Sequence, residues 1–209
     1  MFDTTQLLIF VAAGLALLLV PGPAVLYIVT RSIDQGRLAG LVSVLGVGVG
    51  TMFHVAAAAL GLSALLVSSA LLFNIVKLLG AGYLIYLGLR KLFVDEELAQ
   101  PEEVEPTTLG RIFYQGVLVN ILNPKTALFF FAFLPQFADP ARGAVALQIF
   151  ILGVILVSMG LVTDGSYAVL AGTAGNWLKG NLRVLRAQRY FAGTVYVALG
   201  MVTAFSHKD

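Results

Sequence analysis

Residues 17–29 read LLLVPGPAVLYIV, and residues 118–130 read LVNILNPKTALFF. Each stretch carries a proline motif inside a long apolar run. Proline inside a helix removes a backbone hydrogen bond and clashes with the preceding turn, at a cost of about 3 kcal/mol. In hydrocarbon the freed backbone groups need protein, water or ligand partners, so such breaks persist where they line a cavity. Two helices are therefore predicted to be broken, at Pro21-Gly22-Pro23 and at Asn123-Pro124-Lys125.

The composition around these motifs is typical of a membrane protein. Of 209 residues, 59% are hydrophobic and 11% are charged, and the mean hydropathy is +0.93. A soluble domain has roughly 25% charged residues. The apolar runs lack the alternation of a membrane barrel, which leaves helices as the spanning structure. Cysteine is absent, which excludes thiol redox chemistry, disulfides and cysteine-ligated metals. No cofactor is indicated. No nucleic-acid partner is indicated either, because the basic residues lie in short loops.

Six apolar segments are predicted to span the bilayer as helices, at residues 7–29, 40–66, 71–89, 112–134, 144–170 and 190–205. The loops after spans 1, 3 and 5 carry nine Lys and Arg residues, and the opposite side carries three. The positive-inside rule then places those loops in the cytoplasm. Both termini are predicted to lie on the opposite, extracytoplasmic side of a bacterial inner membrane. The acidic loop at residues 92–111 is expected to be solvated.

The two halves of the chain show signs of an internal repeat. An offset of 103 residues aligns Pro21 with Pro124, Gly40 with Gly143, and Gly50 with Gly153. Repeat 1 then covers about 1–91 and repeat 2 about 112–209, within a single transmembrane domain at 1–209. Three spans per repeat is an odd number, so the second repeat is inserted upside down. Inverted repeats with interrupted helices are typical of secondary transporters.

The two breaks are predicted to form a binding site near the midplane of the membrane. Proline is favoured as the first residue of a helix, so a new helix begins at each motif. Its N-terminal amides carry partial positive charge towards the break, which suits a carboxylate. The alternative is that both motifs are kinks that only adjust helix packing.

Two charged residues, Lys125 and Asp164, lie so far inside predicted spans that no reasonable choice of span boundaries moves them to an interface. Each costs roughly 2.5–3.5 kcal/mol at a helix centre, so a functional role is the default interpretation. Lys125 is predicted to meet a substrate carboxylate or a counter-ion. Asp164 is predicted to carry protons, because desolvation favours the neutral form of a carboxylic acid. A static Lys125–Asp164 pair that stabilises the bundle is the alternative. His54 is predicted either to take part in proton coupling or to hydrogen-bond a neighbouring helix. The candidate substrate-binding residues are Pro21, Gly22, Pro23, Asn120, Asn123, Pro124, Lys125 and Tyr167.

These motifs resemble those of the lysine-exporter and homoserine-resistance translocators (LysE/RhtB). The similar stretches are VPGPAVLYIVTRSIDQGRLAGLVSVLGVGVG at 20–50, NILNPKTALFFFAFLPQF at 120–137, and Asp164 with Tyr167. The resemblance extends over essentially the whole chain. It implies export of amino acids or related metabolites from the bacterial cytoplasm, driven by the proton gradient. The presence of a single buried acid favours a neutral amino acid over a dibasic one.

Other functions fit the sequence less well. An exporter of another small metabolite is the main alternative. A metal-ion exporter would have to use His54 and Asp164 without cysteine or a second acid, which is a poor ligand set for divalent ions. An intramembrane enzyme would have to use Ser166 with His54, and no flanking pattern supports that pair. The glycines at 46, 48 and 50 allow close helix packing, either inside the bundle or in a homodimer.

Overall fold

A computed structural model describes residues 2–68 and 107–178, together with scattered helical positions between 75 and 93 and between 190 and 201. Regular structure in this part of the chain is entirely helical, as the sequence predicts. The predicted spans at 71–89 and 190–205 lie largely outside the described residues, so the six-helix inverted repeat stays a prediction. The helices are α1 (Thr4–Leu18), α2 (Pro23–Ser68), α3 (Leu109–Ile121), α4 (Pro124–Phe133) and α5 (Val145–Leu178), with short 3-10 turns at Leu134–Phe137 and Pro140–Arg142.

The first predicted break is confirmed. Helix α1 ends at Leu18, and α2 begins at Pro23, so Pro21 and Gly22 lie in the connection between them. The first N–H of a helix has no partner within the helix, so a proline at this position loses no hydrogen bond. Its fixed φ also suits a helix. The motif therefore ends one helix and begins another.

The second predicted break is confirmed at Asn123. Helix α3 ends at Ile121, and Asn123 is the N-cap of α4, with its side-chain oxygen accepting from the Lys125 amide at 3.1 Å. Pro124 takes the first helical position. The helices on either side of the break meet at 57°. Local capping by an Asn-Pro pair thus accounts for the restart.

Helix α2 reverses direction at Gly36. This residue has φ of 85°, a region that favours glycine. Ile28 and Val44 pack in one buried cluster, although a continuous helix would separate them by about 24 Å. The predicted loop between residues 29 and 40 is wrong in its bounds, because helical backbone continues through it on both sides of one glycine. The resulting hairpin packs on α5, where Ser32 Oγ donates to the Ala168 carbonyl.

Two of the described helices are long and apolar enough to cross a membrane, at Pro23–Gly61 and Val145–Thr173. A third crossing results if the bent pair Leu109–Ile121 and Lys125–Phe137 counts as one span. The reversal at Gly36 divides the first of these helices into two arms. The described part therefore fits a bundle of broken and hairpin-paired apolar helices.

A cluster of phenylalanine side chains packs α1 against α4. Phe10 stacks on Phe133 with ring centroids 5.4 Å apart, and Phe133 stacks on Phe129 at 4.8 Å. Phe137 meets Phe10 edge-on at 5.1 Å. Phe10 and Phe133 are fully buried. These contacts pack the middle of α1 against α4 and the 3-10 turn that follows it.

The glycines of the second arm of α2 serve packing inside the bundle. A Cβ on Gly46 would overlap the Phe113 carbonyl oxygen of α3, and a Cβ on Gly50 would lie 2.7 Å from the Val117 oxygen. A Cβ on Gly116, across the same interface, would lie 3.0 Å from the Ser43 oxygen. Close approach of two backbones through small residues is the usual packing rule in membranes. This face of α2 is thus covered by α3.

Replacing Gly46 with alanine is expected to destabilise the fold. The added methyl group meets backbone that has no room to rotate away, and overpacking of this kind costs about 1–3 kcal/mol. Thermal unfolding of the detergent-purified protein measures the effect as a lower midpoint. Gly165→Ala on α5 is the matched control, because a Cβ there has no atom within 4 Å. Equal midpoints for the two variants would contradict the close α2–α3 contact.

Candidate binding cavity between the helix breaks

A cavity lies between the two breaks and is also lined by α2 and α5. About 100 Å³ of it is open to the centre of a water molecule. One water needs roughly 10–15 Å³ of such volume, so the cavity has room for more than a single water. Much of the wall is apolar, with leucine, valine and phenylalanine side chains from α1, α4 and α5. Its polar lining residues are Thr51, Asn120, Asn123, Lys125, Thr126 and Asp164.

The two proline motifs meet at Gly22 and Lys125. The Lys125 Nζ donates a hydrogen bond to the Val20 carbonyl at 3.0 Å. A Cβ on Gly22 would lie 2.8 Å from that Nζ and 2.9 Å from the Lys125 Cδ. Glycine at position 22 therefore leaves the space through which the lysine of one break reaches the main chain of the other.

Tyr167 binds the same end of α1. Its hydroxyl donates to the Leu19 carbonyl at 3.0 Å. The last carbonyls of a helix have no partner within the helix and need one from elsewhere. Lys125 of α4 and Tyr167 of α5 supply partners for two consecutive carbonyls, at Val20 and Leu19. Both side chains thus hold the end of the broken helix.

Asp164 faces the cavity from α5. It is a lining residue and is partly exposed. The cavity therefore has a lysine and an aspartate side chain on different helices. In their charged forms, these two groups match the two charges of a zwitterion.

Asn120 joins three helices through hydrogen bonds. Its amide nitrogen donates to the Val47 carbonyl at 2.9 Å and to the Thr51 hydroxyl at 2.7 Å. Its amide oxygen accepts from the Thr126 hydroxyl at 2.9 Å. The residue is 1% exposed. Its polar atoms thus fix α2 and α4 to the end of α3.

His54 forms a hydrogen bond with the main chain of Asn120. Its Nε2 lies 2.8 Å from the Asn120 carbonyl oxygen, which makes this nitrogen the protonated one. The ring is buried, and its centroid lies 6.3 Å from that of Phe130. The structure thus gives His54 the interhelical hydrogen bond that was one of the two interpretations of the sequence.

Replacing Asn120 with alanine is expected to destabilise the protein. The change removes three hydrogen bonds that join α3 to α2 and α4, and each such bond contributes about 0.5–1.5 kcal/mol. Thermal unfolding in detergent should show a clear drop in the midpoint. Ser158→Ala is the control, because Ser158 only bonds the carbonyl of Val154 one turn earlier on its own helix. An unfolding midpoint for Asn120→Ala as high as that of the control would contradict the role of Asn120 in holding the three helices together.

Arg31 is a buried cation that the sequence reasoning counted as part of a loop. It is 4% exposed, and its guanidinium donates to Gln35 and to Gln115 of α3, both at 2.9 Å. It also lies 5.8 Å from the centre of the Tyr27 ring. Arg31 thus ties the hairpin to α3. The spacing of Tyr27 and Arg31, one helical turn apart, was the signal that the helix continues past position 29.

A metal site is not seen in the residues that the structure describes. Among them, no group of three or more His, Asp and Glu side chains comes together. A metal exporter would have to use His54 and Asp164. Within residues 2–68 and 107–178, no further His, Asp or Glu joins them as a third ligand.

Several known proteins of similar sequence are bacterial efflux proteins. A homoserine/homoserine lactone efflux protein of Salmonella typhimurium is 31% identical over 184 residues, which cover 88% of each chain. A leucine efflux protein of Salmonella choleraesuis is 33% identical over 150 residues, 70% of each chain. An uncharacterised membrane protein of Bacillus subtilis is 30% identical over 210 residues, covering 96% of this chain and 99% of that protein. No solved structure matches the chain. The profile of LysE type translocators matches residues 15–207, and this protein is therefore a membrane protein of that family, a translocator and not an enzyme.

Proposed function

We propose that this protein exports a neutral amino acid from the bacterial cytoplasm in exchange for protons. The observation that carries the proposal is the cavity between the two helix breaks, which presents Lys125 and Asp164 from different helices. Two of the similar proteins are efflux proteins for amino acids or their derivatives. A binding site at a pair of interrupted helices is a common plan in secondary transporters.

The polar end of the cavity suits the backbone of an amino acid. The substrate carboxylate would lie between Lys125 and the N-terminal turns of α2 and α4, where helix amides and their partial positive charge favour an anion. The substrate ammonium would lie at Asp164. The prolines at 21, 23 and 124 would bind no substrate atom themselves and would create the two helix starts. Asn123 would act as the cap of the second start.

The apolar wall selects the side chain. Leu17, Leu156 and Leu161 line the cavity together with two phenylalanines of α4. An aliphatic side chain such as that of leucine would meet apolar groups on this wall. A basic side chain would need a second acid, and Asp164 is the one acid among the described lining residues. Aliphatic and small hydroxylated amino acids are therefore the proposed substrate class.

Proton exchange is assigned to Asp164. A carboxylate that holds the substrate ammonium from the cytoplasmic side can release it when a proton arrives from the other side, so one group serves both ions in turn. The cycle requires alternating access of the cavity to the two sides. Both termini are proposed to lie outside the cytoplasm, with the Gly36 reversal on the cytoplasmic side, in agreement with the distribution of basic residues.

Dipeptide feeding tests the proposal in cells. A bacterium that lacks its own leucine exporters is given a leucine-containing dipeptide, which raises cytoplasmic leucine by hydrolysis. Expression of this protein is expected to speed the appearance of leucine in the medium several-fold over an empty vector. A rate equal to that of the empty vector, for leucine and for homoserine supplied in the same way, would refute amino-acid export.

A further inference from the structure

We propose that Lys125 is a latch operated by the substrate, a role that rests on the proposed function and goes beyond simple binding. Its ammonium fastens the end of α1 to α4 through the Val20 carbonyl. The arriving carboxylate draws the ammonium away from Val20 and frees the end of α1 to move. Substrate binding is thereby coupled to the change of access.

The latch is a hydrogen bond that crosses both breaks. Lys125 is the second residue of α4, and Val20 lies just past the end of α1, so the 3.0 Å bond directly links the two interrupted helices. Val20 is 1% exposed. An unpartnered carbonyl at such a place is costly, so the lysine stabilises this arrangement of the two helices.

The carboxylate has a stronger attraction for the ammonium than the carbonyl has. The ammonium and a carboxylate attract each other as two opposite charges, whereas the Val20 carbonyl offers the ammonium only a dipole, and low-dielectric surroundings increase the difference. The lysine stem has rotatable bonds that allow its head to move within the cavity it already lines. Tyr167 still holds the Leu19 carbonyl to α5, so loss of the latch turns α1 about this second contact.

Gly22 makes the latched position possible. A Cβ at this position would lie within 3 Å of the Lys125 Nζ and Cδ, which are the mobile end of a side chain and not backbone. Gly22→Ala is therefore expected to displace the lysine head without disrupting the fold. This variant opens the latch while keeping the charge of Lys125.

Distances between spin labels test the latch. The chain has no cysteine, so Leu8→Cys on α1 and Leu122→Cys after α3, at side chains 65% and 75% exposed, give a clean label pair. We expect saturating leucine to shift the distance distribution of the otherwise native protein. 4-Methylpentanoate, which keeps the carboxylate, is expected to cause the same shift, and leucinol, which lacks it, is expected to cause none.

The variants decide the matter without any ligand. Lys125→Met and Gly22→Ala should each show the leucine-type distribution in the empty protein, whereas Gly165→Ala should keep the native empty distribution. If both latch variants keep the native empty distribution, or if leucinol shifts it as far as leucine does, the latch is refuted. Failure of the proposed function looks different, because then no amino acid changes the native distribution while the two variants still differ from it.

Discussion

Asp164→Asn is expected to abolish efflux driven by a pH gradient and to leave leucine exchange across the membrane measurable. Asparagine keeps the size and polarity of the side chain, but it carries neither the proton nor the negative charge. In proteoliposomes loaded with leucine, the gradient-driven rate should fall by about two orders of magnitude, equivalent to about 2.7 kcal/mol. Exchange of labelled for unlabelled leucine needs no net proton movement, so it should persist at a reduced rate.

Ser158→Ala on the same helix provides the comparison for Asp164→Asn. Its hydroxyl bonds only within its own helix, so both assays should run at the native rate. Gradient-driven efflux through Asp164→Asn at the rate of this control would remove Asp164 from the coupling mechanism. Loss of gradient-driven efflux and of exchange alike, in a variant that unfolds at the native temperature, would assign Asp164 to binding alone.

Lys125→Met is expected to weaken leucine binding by about 100-fold, again equivalent to about 2.7 kcal/mol. The substrate carboxylate loses its charged partner, and hydrogen bonds to charged groups contribute about 1.5–3 kcal/mol each. The half-saturating concentration for leucine exchange measures the change. Lys125→Arg should recover part of the affinity, because it restores the positive charge with a different geometry.

Leucinol distinguishes a direct contact between Lys125 and the substrate carboxylate from a general effect of the substitution on the cavity. Inhibition of leucine exchange by leucinol should be nearly the same in the native protein and in Lys125→Met, since leucinol has no carboxylate to lose. An equal loss of affinity for leucine and leucinol would show that Lys125 supports the fold of the cavity and does not hold the carboxylate.

The helix breaks were predictable because their causes are local. Proline lacks an N–H and has a fixed φ, and Asn123 caps the helix that follows it. Sequence alone therefore located both interruptions to within a few residues. The charged residues at depth, Lys125 and Asp164, could also be found, because hydrocarbon makes any charge within a span conspicuous.

The hairpin at Gly36 and the burial of Arg31 were missed because their causes are distant in sequence. Arg31 is accommodated by Gln115 on α3, and Gln35 exchanges hydrogen bonds with the main chain of Thr107 at 2.8 and 3.2 Å. Those partners lie more than 70 residues away, so the polar run around position 35 was interpreted as a loop. Helical backbone through a polar segment needs such tertiary partners.

The partners of the predicted site residues were likewise beyond the sequence. Polarity at depth marked Tyr167 and Lys125, but which main-chain atoms they meet depends on how α1 packs against α4 and α5. The aromatic cluster around Phe10 and Phe133 sets that packing. Asn120 is a similar case, because its partners Thr51 and Val47 come from α2.

Leucine efflux by the purified protein tests the central claim most directly. Proteoliposomes are loaded with labelled leucine and diluted into medium that imposes a proton gradient directed into the vesicles. We expect leucine to leave several-fold faster than from protein-free vesicles, with the excess removed by a protonophore and nearly absent in Asp164→Asn. Efflux from the proteoliposomes at the rate of protein-free vesicles, for both leucine and homoserine, would contradict a proton-driven amino-acid exporter with its site between the two breaks.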